Sequence, residues 1–388
     1  MGRHYLDHAS TSPCRPEAVA AMVPWLGVAA DPARVHTEGL TVRQVVEHAR
    51  EQVAQLLGAR SREVVFTSGA TEAINAAVWG ASERGPVIVC SAVEHSAVRE
   101  AAARHGEVVI AVDSVGRVDL DALDDVLGHK PSPALVNVQW ANHEVGTIQP
   151  VAGVVERCRE RGVLVHVDAA IAAGHVPVDL GALGADLLSV SAHKMGGPAG
   201  AGALLVRRGL RLRPFVVGGD QERARRAGLE NVPAIVGFGA TTELLAGGAL
   251  EKEAAEHGRF TERLLRGATA IDGVVAFGDT DHRVPHIVCL GVEGVEAEPV
   301  LLGLDQRGIA VHSGSACSSE ALEPSPVLEA MGAPADRSLR VSVGWSTTDA
   351  DVDAFVGALP EVVANLRALN PVRGMRRGIA PGHSSEGV

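Results

Sequence analysis

Aromatic side chains are scarce in this chain: six Phe, four Trp and one Tyr make up 3% of its 388 residues. Proteins that hold single-stranded nucleic acid stack bases on aromatic platforms, and so few rings argue against that mode. Positive charge is also short. There are 35 Lys+Arg against 47 Asp+Glu, a formal net charge of −12, which disfavours direct binding to a phosphate backbone. No apolar run approaches the ~20 residues needed to span a bilayer. The residues from Met1 to Asp7 lack the apolar core of a signal peptide. The expectation is a cytoplasmic protein with no membrane or nucleic-acid partner of its own.

The five cysteines, Cys14, Cys90, Cys158, Cys289 and Cys317, are odd in number and widely spaced. Without a C-x-x-C pair they offer neither a disulfide framework nor a zinc site, and no metal is expected. Cys90 and Cys289 close apolar runs and read as buried strand residues, and Cys158 sits in a helical pattern. Several motifs are missing as well: G-x-x-x-x-G-K-[ST], a strand-to-helix G-x-G-x-x-G, H-E-x-x-H and G-x-S-x-G. ATP hydrolysis, dinucleotide binding, zinc peptidase and serine hydrolase chemistry lose their usual support.

What is present is a soluble globular composition, 46% hydrophobic and 21% charged, with 44 glycines. The length allows two or three domains. Val42, Val45, Val46, Ala49, Val53, Leu56 and Leu57 recur at helical spacing, which predicts an amphipathic helix over 41–57. A strand at 64–67, a small-residue turn and a helix over 71–79 follow. Further strands are expected at 87–90, 108–112, 135–139, 163–167, 186–190 and 202–206. Short strands alternating with helices indicate an α/β fold with a mostly parallel central sheet flanked by helices. Beyond about 255 the alternation loosens, with strands near 286–292, 309–312 and 339–343, as in a smaller α+β C-terminal domain. The division expected is a large domain over 15–255, a small domain from 1–14 and 256–370, and a flexible tail over 371–388.

Three local features carry chemistry. Thr67-Ser68-Gly69-Ala70-Thr71-Glu72 is a strand running into a helix start, which suits a phosphate, although a plain helix cap explains it equally when taken alone. Asp168 closes a strand where open α/β sheets bind ligands, or else caps the next segment. Ser191-Ala192-His193-Lys194 ends another strand before a glycine-rich turn, and a lysine desolvated there favours Schiff-base chemistry. A phosphate cradle, an acid for a pyridine nitrogen and an imine-forming lysine together describe pyridoxal 5′-phosphate.

At this point the sequence resembles the class V aminotransferase family, and within it the NifS/IscS-like cysteine desulfurases of pyridoxal-phosphate fold type I. The likeness runs from Tyr5-Leu6-Asp7-His8 to Leu339-Arg340-Val341-Ser342. Between them lie Glu94-His95, Asn142-His143-Glu144-Val145-Gly146, His166-Val167-Asp168-Ala169, Gly218-Gly219-Asp220-Gln221-Glu222-Arg223 and Ser313-Gly314-Ser315-Ala316-Cys317. The resemblance implies that Lys194 holds the cofactor and shuttles the α-proton, that Asp168 pairs with the ring nitrogen, and that His95 stacks on the ring and moves protons. It assigns Asn142 to the ring's phenolic oxygen or to substrate. The phosphate falls to Thr71, Ser191, His193 and the backbone near Ala70, and the substrate carboxylate to Arg340. Cys317, in a stretch of small residues, becomes the nucleophile that takes sulfur from L-cysteine as a persulfide and leaves L-alanine. A homodimer is implied, passing sulfur to an acceptor protein such as an iron–sulfur scaffold or a sulfur carrier.

The chain departs from the family pattern at four places. Ile171 stands for a glutamine near the cofactor, and Leu229 for a threonine that helps hold the phosphate across the dimer. Trp345 replaces a second arginine, and Asp31 to His36 replaces an Asn-Pro-Ser-Ser-x-His stretch. Each lost hydrogen bond to a charged group weakens the hold by about 1.5–3 kcal/mol. Alternatives are another pyridoxal-phosphate reaction on the same fold, such as a cysteine or selenocysteine lyase or an aminotransferase, and a sulfur-relay scaffold without the cofactor.

Overall fold

The computed structural model describes residues 2–29, 31–313 and 324–369. In chain order the strands are β1 (His4–Tyr5), β2 (Val64–Thr67), β3 (Val87–Ser91), β4 (Gly106–Ile110), β5 (Leu135–Gln139), β6 (Leu164–Asp168), β7 (Leu187–Ser191), β8 (Gly202–Val206), β9 (Val274–Phe277), β10 (Ile287–Val292), β11 (Ile309–Ala310) and β12 (Ser338–Ser342).

Seven of these form one sheet in the order β2-β8-β7-β6-β5-β3-β4. Its strands pair in parallel except at β8, which runs antiparallel to both β2 and β7. The inner strands β5, β6, β7 and β8 are buried along their whole length, as expected where helices cover both faces. On one face the helix Thr37–Leu56 presents Val42, Val46, Ala49 and Val53 to the core together with the helix Val151–Arg161. On the other, the alanine-rich helix Ala70–Ala81 packs Ala73, Ile74 and Ala77 against Val65, Leu187 and Leu204. Small side chains allow that close approach, so the scarcity of aromatic residues has a packing consequence.

The second sheet, β12-β10-β9, is antiparallel. It packs with the helix Asp349–Leu369 around Phe260, Leu264, Phe355 and Leu359. The helix Leu250–Thr269 serves both cores: Leu250 packs with the large sheet, and Phe260 and Leu264 with the small one. Position 255 therefore lies within a continuous helix rather than in a linker. The N-terminal segment crosses the same way. Leu6 packs in the small core, β1 pairs in parallel with β11, and Ala9 packs in the large core. Val232–Thr269 is the one described helical run long and apolar enough to cross a membrane by length and composition, and half of its apolar window is buried in this fold.

Candidate active site

The ends of β2, β6 and β7 open onto a single cavity of about 850 Å³. Crossover connections in a parallel sheet deliver helix starts and loop residues to that edge, where ligands bind. Ala70, Thr71, His95, Asp168, Ser191, His193, Lys194 and Arg340, all candidates from the sequence, line it.

The cradle is the Ser68-Gly69 turn that leads into the helix at Ala70. The first turn of a helix has N–H groups with no intrahelical acceptor, and they carry the positive end of its dipole. Around it, Thr67 Oγ1 donates to the Gly69 carbonyl, and Glu72 Oε2 accepts from the Ser68 amide at 2.9 Å. Glu72 is in turn held by Arg226, whose Nε donates to Oε1 at 2.8 Å. The turn lies against Gly202 of β8, where a Cβ would stand 2.6 Å from the Gly69 Cα and from the Val190 oxygen. Only glycine permits that approach.

Asp168 closes β6 and is 7% exposed. Its Oδ1 accepts from the Ala170 amide at 3.0 Å and the Ser189 hydroxyl at 3.2 Å. Burial pushes its pKa up, against the Ala170 amide, the nearby His95, the Ser189 hydroxyl and Lys194. Just past the end of the neighbouring strand β7, Lys194 Nζ donates to the carbonyls of Ala9 (2.5 Å) and Ser10 (2.9 Å). The amine thus lies against the N-terminal segment rather than in a wholly apolar setting. The same segment holds the neighbouring residue, since Thr11 Oγ1 is 3.1 Å from His193 Nδ1 and the Ser12 amide donates to the His193 carbonyl. Burial, with the Lys194 charge, brings the His193 pKa down to about 4. Ile171 stands on the cavity wall, where it offers no hydrogen bond.

His95 caps the helix Ser96–Ala103, its Nδ1 accepting from the Ala97 amide at 3.1 Å. In the neutral ring this places the proton on Nε2. The ring meets His143 edge-on at 5.0 Å between centroids. Burial holds His143 well below the ordinary imidazole range, helped by His95, Arg340 and Lys194. Glu94 is a wall residue to which no role fell from the sequence. Its Oε1 accepts from Ser91 Oγ and the Gln139 amide, and burial raises its pKa to about 7.

Asn142 differs from the expectation. It is fully buried, Nδ2 donates to the Val93 carbonyl, and Oδ1 accepts from the amides of Glu144 and Val145. These bonds shape the turn behind the cavity, and Gln139 and His143 take the places on its wall.

Arg340, on β12, reaches the cavity from the small sheet. Nη1 donates to the His143 carbonyl, and Nη2 to Asp7 and Ser10. Trp345 donates its indole N–H to the Pro13 carbonyl and lies beside Arg15, so it secures the N-terminal segment. Leu229 is 62% exposed. Cys317 and the tail over 371–388 lie outside the described residues. The other four cysteines all have thiol pKa values raised by burial, Cys158 to about 12.

Nothing in the sequence pattern marks Asp7, Ala9, Ser10 and Thr11 individually as site residues. Toward Lys194, Ala9 and Ser10 act through carbonyl oxygens, which leave no side-chain signature. Asp7 is visible only as part of the Tyr5-Leu6-Asp7-His8 motif.

The sequence matches the aminotransferase class-V family over residues 4–355. It is 41% identical to a cysteine desulfurase of a Nostoc species, with 96% of each chain covered. It is 39% identical to a cysteine desulfurase IscS of Methanosarcina thermophila, covering 95% of this chain and 94% of that one. The X-ray structure of a NifS-like protein from Rickettsia africae superposes with a TM-score of 0.87 at 28% identity, covering 93% of this chain and 99% of that one. A family match over nearly the whole chain, on the fold and cavity described, shows that this protein belongs to the class-V aminotransferase family.

Proposed function

We propose that the protein is a pyridoxal 5′-phosphate-dependent cysteine desulfurase that converts L-cysteine to L-alanine and holds the sulfur as a persulfide on Cys317. The observation that carries this reading is the convergence of a helix-start cradle, a buried carboxylate and a lysine amine in one cavity. The donor set fits the cofactor. Among the described residues Asp168 forms no salt bridge; its direct partners are the Ala170 amide and the Ser189 hydroxyl, and a buried carboxylate with no cation in contact suits a protonated ring nitrogen. The unbonded amides of the first helical turn suit a phosphate.

When bound, pyridoxal phosphate supplies an electron sink for the pair released as substrate bonds break. Asp168 holds the proton on the ring nitrogen. The amides at Ala70 and Thr71, with Ser191 and His193, hold the phosphate. Lys194 would hold the cofactor through Nζ and would carry the substrate's α-proton. His95 moves a proton at Nε2, with its other nitrogen occupied by Ala97. Arg340 takes the α-carboxylate, a task its planar fork suits better than an ammonium. The Cys317 thiolate accepts the substrate's sulfur.

The same reading makes the protein a cytoplasmic homodimer that passes sulfur to an acceptor protein, an iron–sulfur scaffold or a sulfur carrier. Support for a covered surface comes from the exposed Phe215, Val217 and Leu229 near a second, smaller apolar cavity of about 260 Å³ behind the cradle. The division into a large domain over 15–255 and a small one from 1–14 and 256–370 belongs to this proposal as well.

The test is Cys317→Ala. The variant should keep the cofactor's absorbance and lose sulfide release from L-cysteine in the presence of added thiol. Release at the wild-type rate would remove Cys317 from the reaction and favour a lyase.

A further inference from the structure

The guanidinium of Arg340 has five N–H donors, and their partners can be counted. Nη2 gives both of its hydrogens away, to Asp7 Oδ1 at 3.0 Å and to Ser10 Oγ at 2.6 Å. Nη1 gives one to the His143 carbonyl at 2.9 Å. Nε is buried and has no partner among the described residues. A two-pronged grip on a carboxylate uses parallel N–H bonds from Nη1 and Nη2, or from Nε and Nη2. Either grip needs Nη2. That nitrogen is taken before any substrate arrives.

The pair is also shielded from water, with the Arg340 and Asp7 side chains 7% and 16% exposed. A guanidinium this buried demands a counter-charge, and Asp7 provides it. Ser10 ties the arrangement to the amine across the cavity. Its Oγ donates to Asp7 Oδ1 at 2.9 Å while accepting from Arg340, and its carbonyl accepts from Lys194 Nζ at 2.9 Å. One short segment therefore touches both the arginine and the lysine.

We infer that Asp7, bridged by Ser10, is the resident counter-ion of Arg340 and that the α-carboxylate of an incoming amino acid displaces it from Nη2. This rests on Arg340 being the carboxylate site, as proposed above. Asp7 is then a positioning residue that sets specificity. It keeps the guanidinium neutralised and oriented between turnovers, and only a carboxylate can replace the bonds its displacement breaks. An amine that lacks a carboxylate gains nothing from the exchange. The competition also weakens retention of the product, which carries the same carboxylate as the substrate.

The experiment is calorimetric titration of the holoenzyme with L-alanine and with ethylamine, which is L-alanine without its carboxylate. Asp7→Asn preserves the shape of the side chain and removes its charge. Its dissociation constant for L-alanine should fall at least about tenfold, the equivalent of one charged hydrogen bond, while that for ethylamine stays the same. Ser10→Ala, which frees one Nη2 donor, should shift L-alanine in the same direction and carries the test if Asp7→Asn does not fold. An L-alanine constant that is unchanged or raised, or an equal gain for ethylamine, overturns the inference. Arg340→Lys separates the underlying reading. If it leaves L-alanine affinity at the wild-type level, Arg340 is not the carboxylate site and that assignment fails first. If it weakens L-alanine while Asp7→Asn does nothing, only the role of Asp7 fails.

Discussion

Acidification should destabilise this protein through buried imidazoles remote from its surface. Four histidines, His8, His175, His257 and His286, crowd together behind the lysine turn. The His175 and His286 rings stack at 3.6 Å between centroids, and His257 lies 5.9 Å from His175. Neither ring nitrogen of His286 has a partner among the described residues, nor do the Nδ1 atoms of His175 and His257. Burial brings His175 down to about 3 and His8 to about 4, and His166, in β6, also down to about 3. The unfolded chain titrates its histidines near 6.5. Between the folded and unfolded values the unfolded state binds more protons, so stability is fully present above about 6.5 and falls as pH falls. Moving from pH 7 to pH 5 costs about 2 kcal/mol for each such group, or about 6 kcal/mol for three. Glu94 acts in the opposite direction. Its carboxyl is raised to about 7, and protonation on acidification returns about 2 kcal/mol. For these four groups together the loss is about 4 kcal/mol, a large part of a total of about 5–15 kcal/mol. Urea unfolding at pH 7 and pH 5 measures it, and His175→Gln should reduce the difference by about 2 kcal/mol. A midpoint that does not move between these pH values, or a variant with the wild-type pH dependence, would mean that these imidazoles do not set the acid stability.

Two further outcomes follow from the packing. Arg50 and Glu222 form a buried bidentate pair at 2.6 and 2.8 Å, their side chains 3% and 2% exposed. Arg50→Ala leaves that carboxylate without its cation and should destabilise by about 3–5 kcal/mol in urea unfolding. Gly202→Ala puts a methyl group 2.6 Å from the Gly69 Cα. It should destabilise by about 1–3 kcal/mol and weaken the retention of pyridoxal phosphate on gel filtration, because the cradle turn must move.

Much of this architecture is legible in the sequence where side-chain pattern and backbone geometry agree. The strands at 64–67, 135–139 and 202–206 coincide with β2, β5 and β8 residue for residue. The fourth strand does not. Apolar pattern favours 108–112, but β4 spans Gly106–Ile110, because the ladder to β3 begins with Gly106 opposite Val87. Glycine and glutamate are weak strand formers, and pairing overrides that preference. Val112 instead bridges to Val118. The helix expected at 41–57 begins at Thr37, since His36 caps it through the Gly39 amide, and histidine is not a usual capping residue.

The candidate site divides in the same way. Residues that act through side-chain chemistry at strand ends, Asp168, Ser191 and Lys194, announce themselves by type and place. The carbonyls of Ala9 and Ser10 that accept from Lys194 do not. Asn142 carries the right side chain for a ligand contact, yet its oxygen accepts from two amides of its own turn. Short polar side chains readily bond to nearby backbone in this way, and sequence alone does not distinguish the two uses. The long-range meeting of Arg340 with Asp7 is likewise invisible without the fold.

Sulfur transfer to Cys317 is read by mass spectrometry of the wild-type holoenzyme after a single turnover with L-cysteine and no added thiol, together with analysis of the released organic product. One extra sulfur atom is expected on the peptide that contains Cys317, with L-alanine in solution. Unmodified Cys317 with pyruvate and ammonia in solution would make the protein a lyase and not a desulfurase.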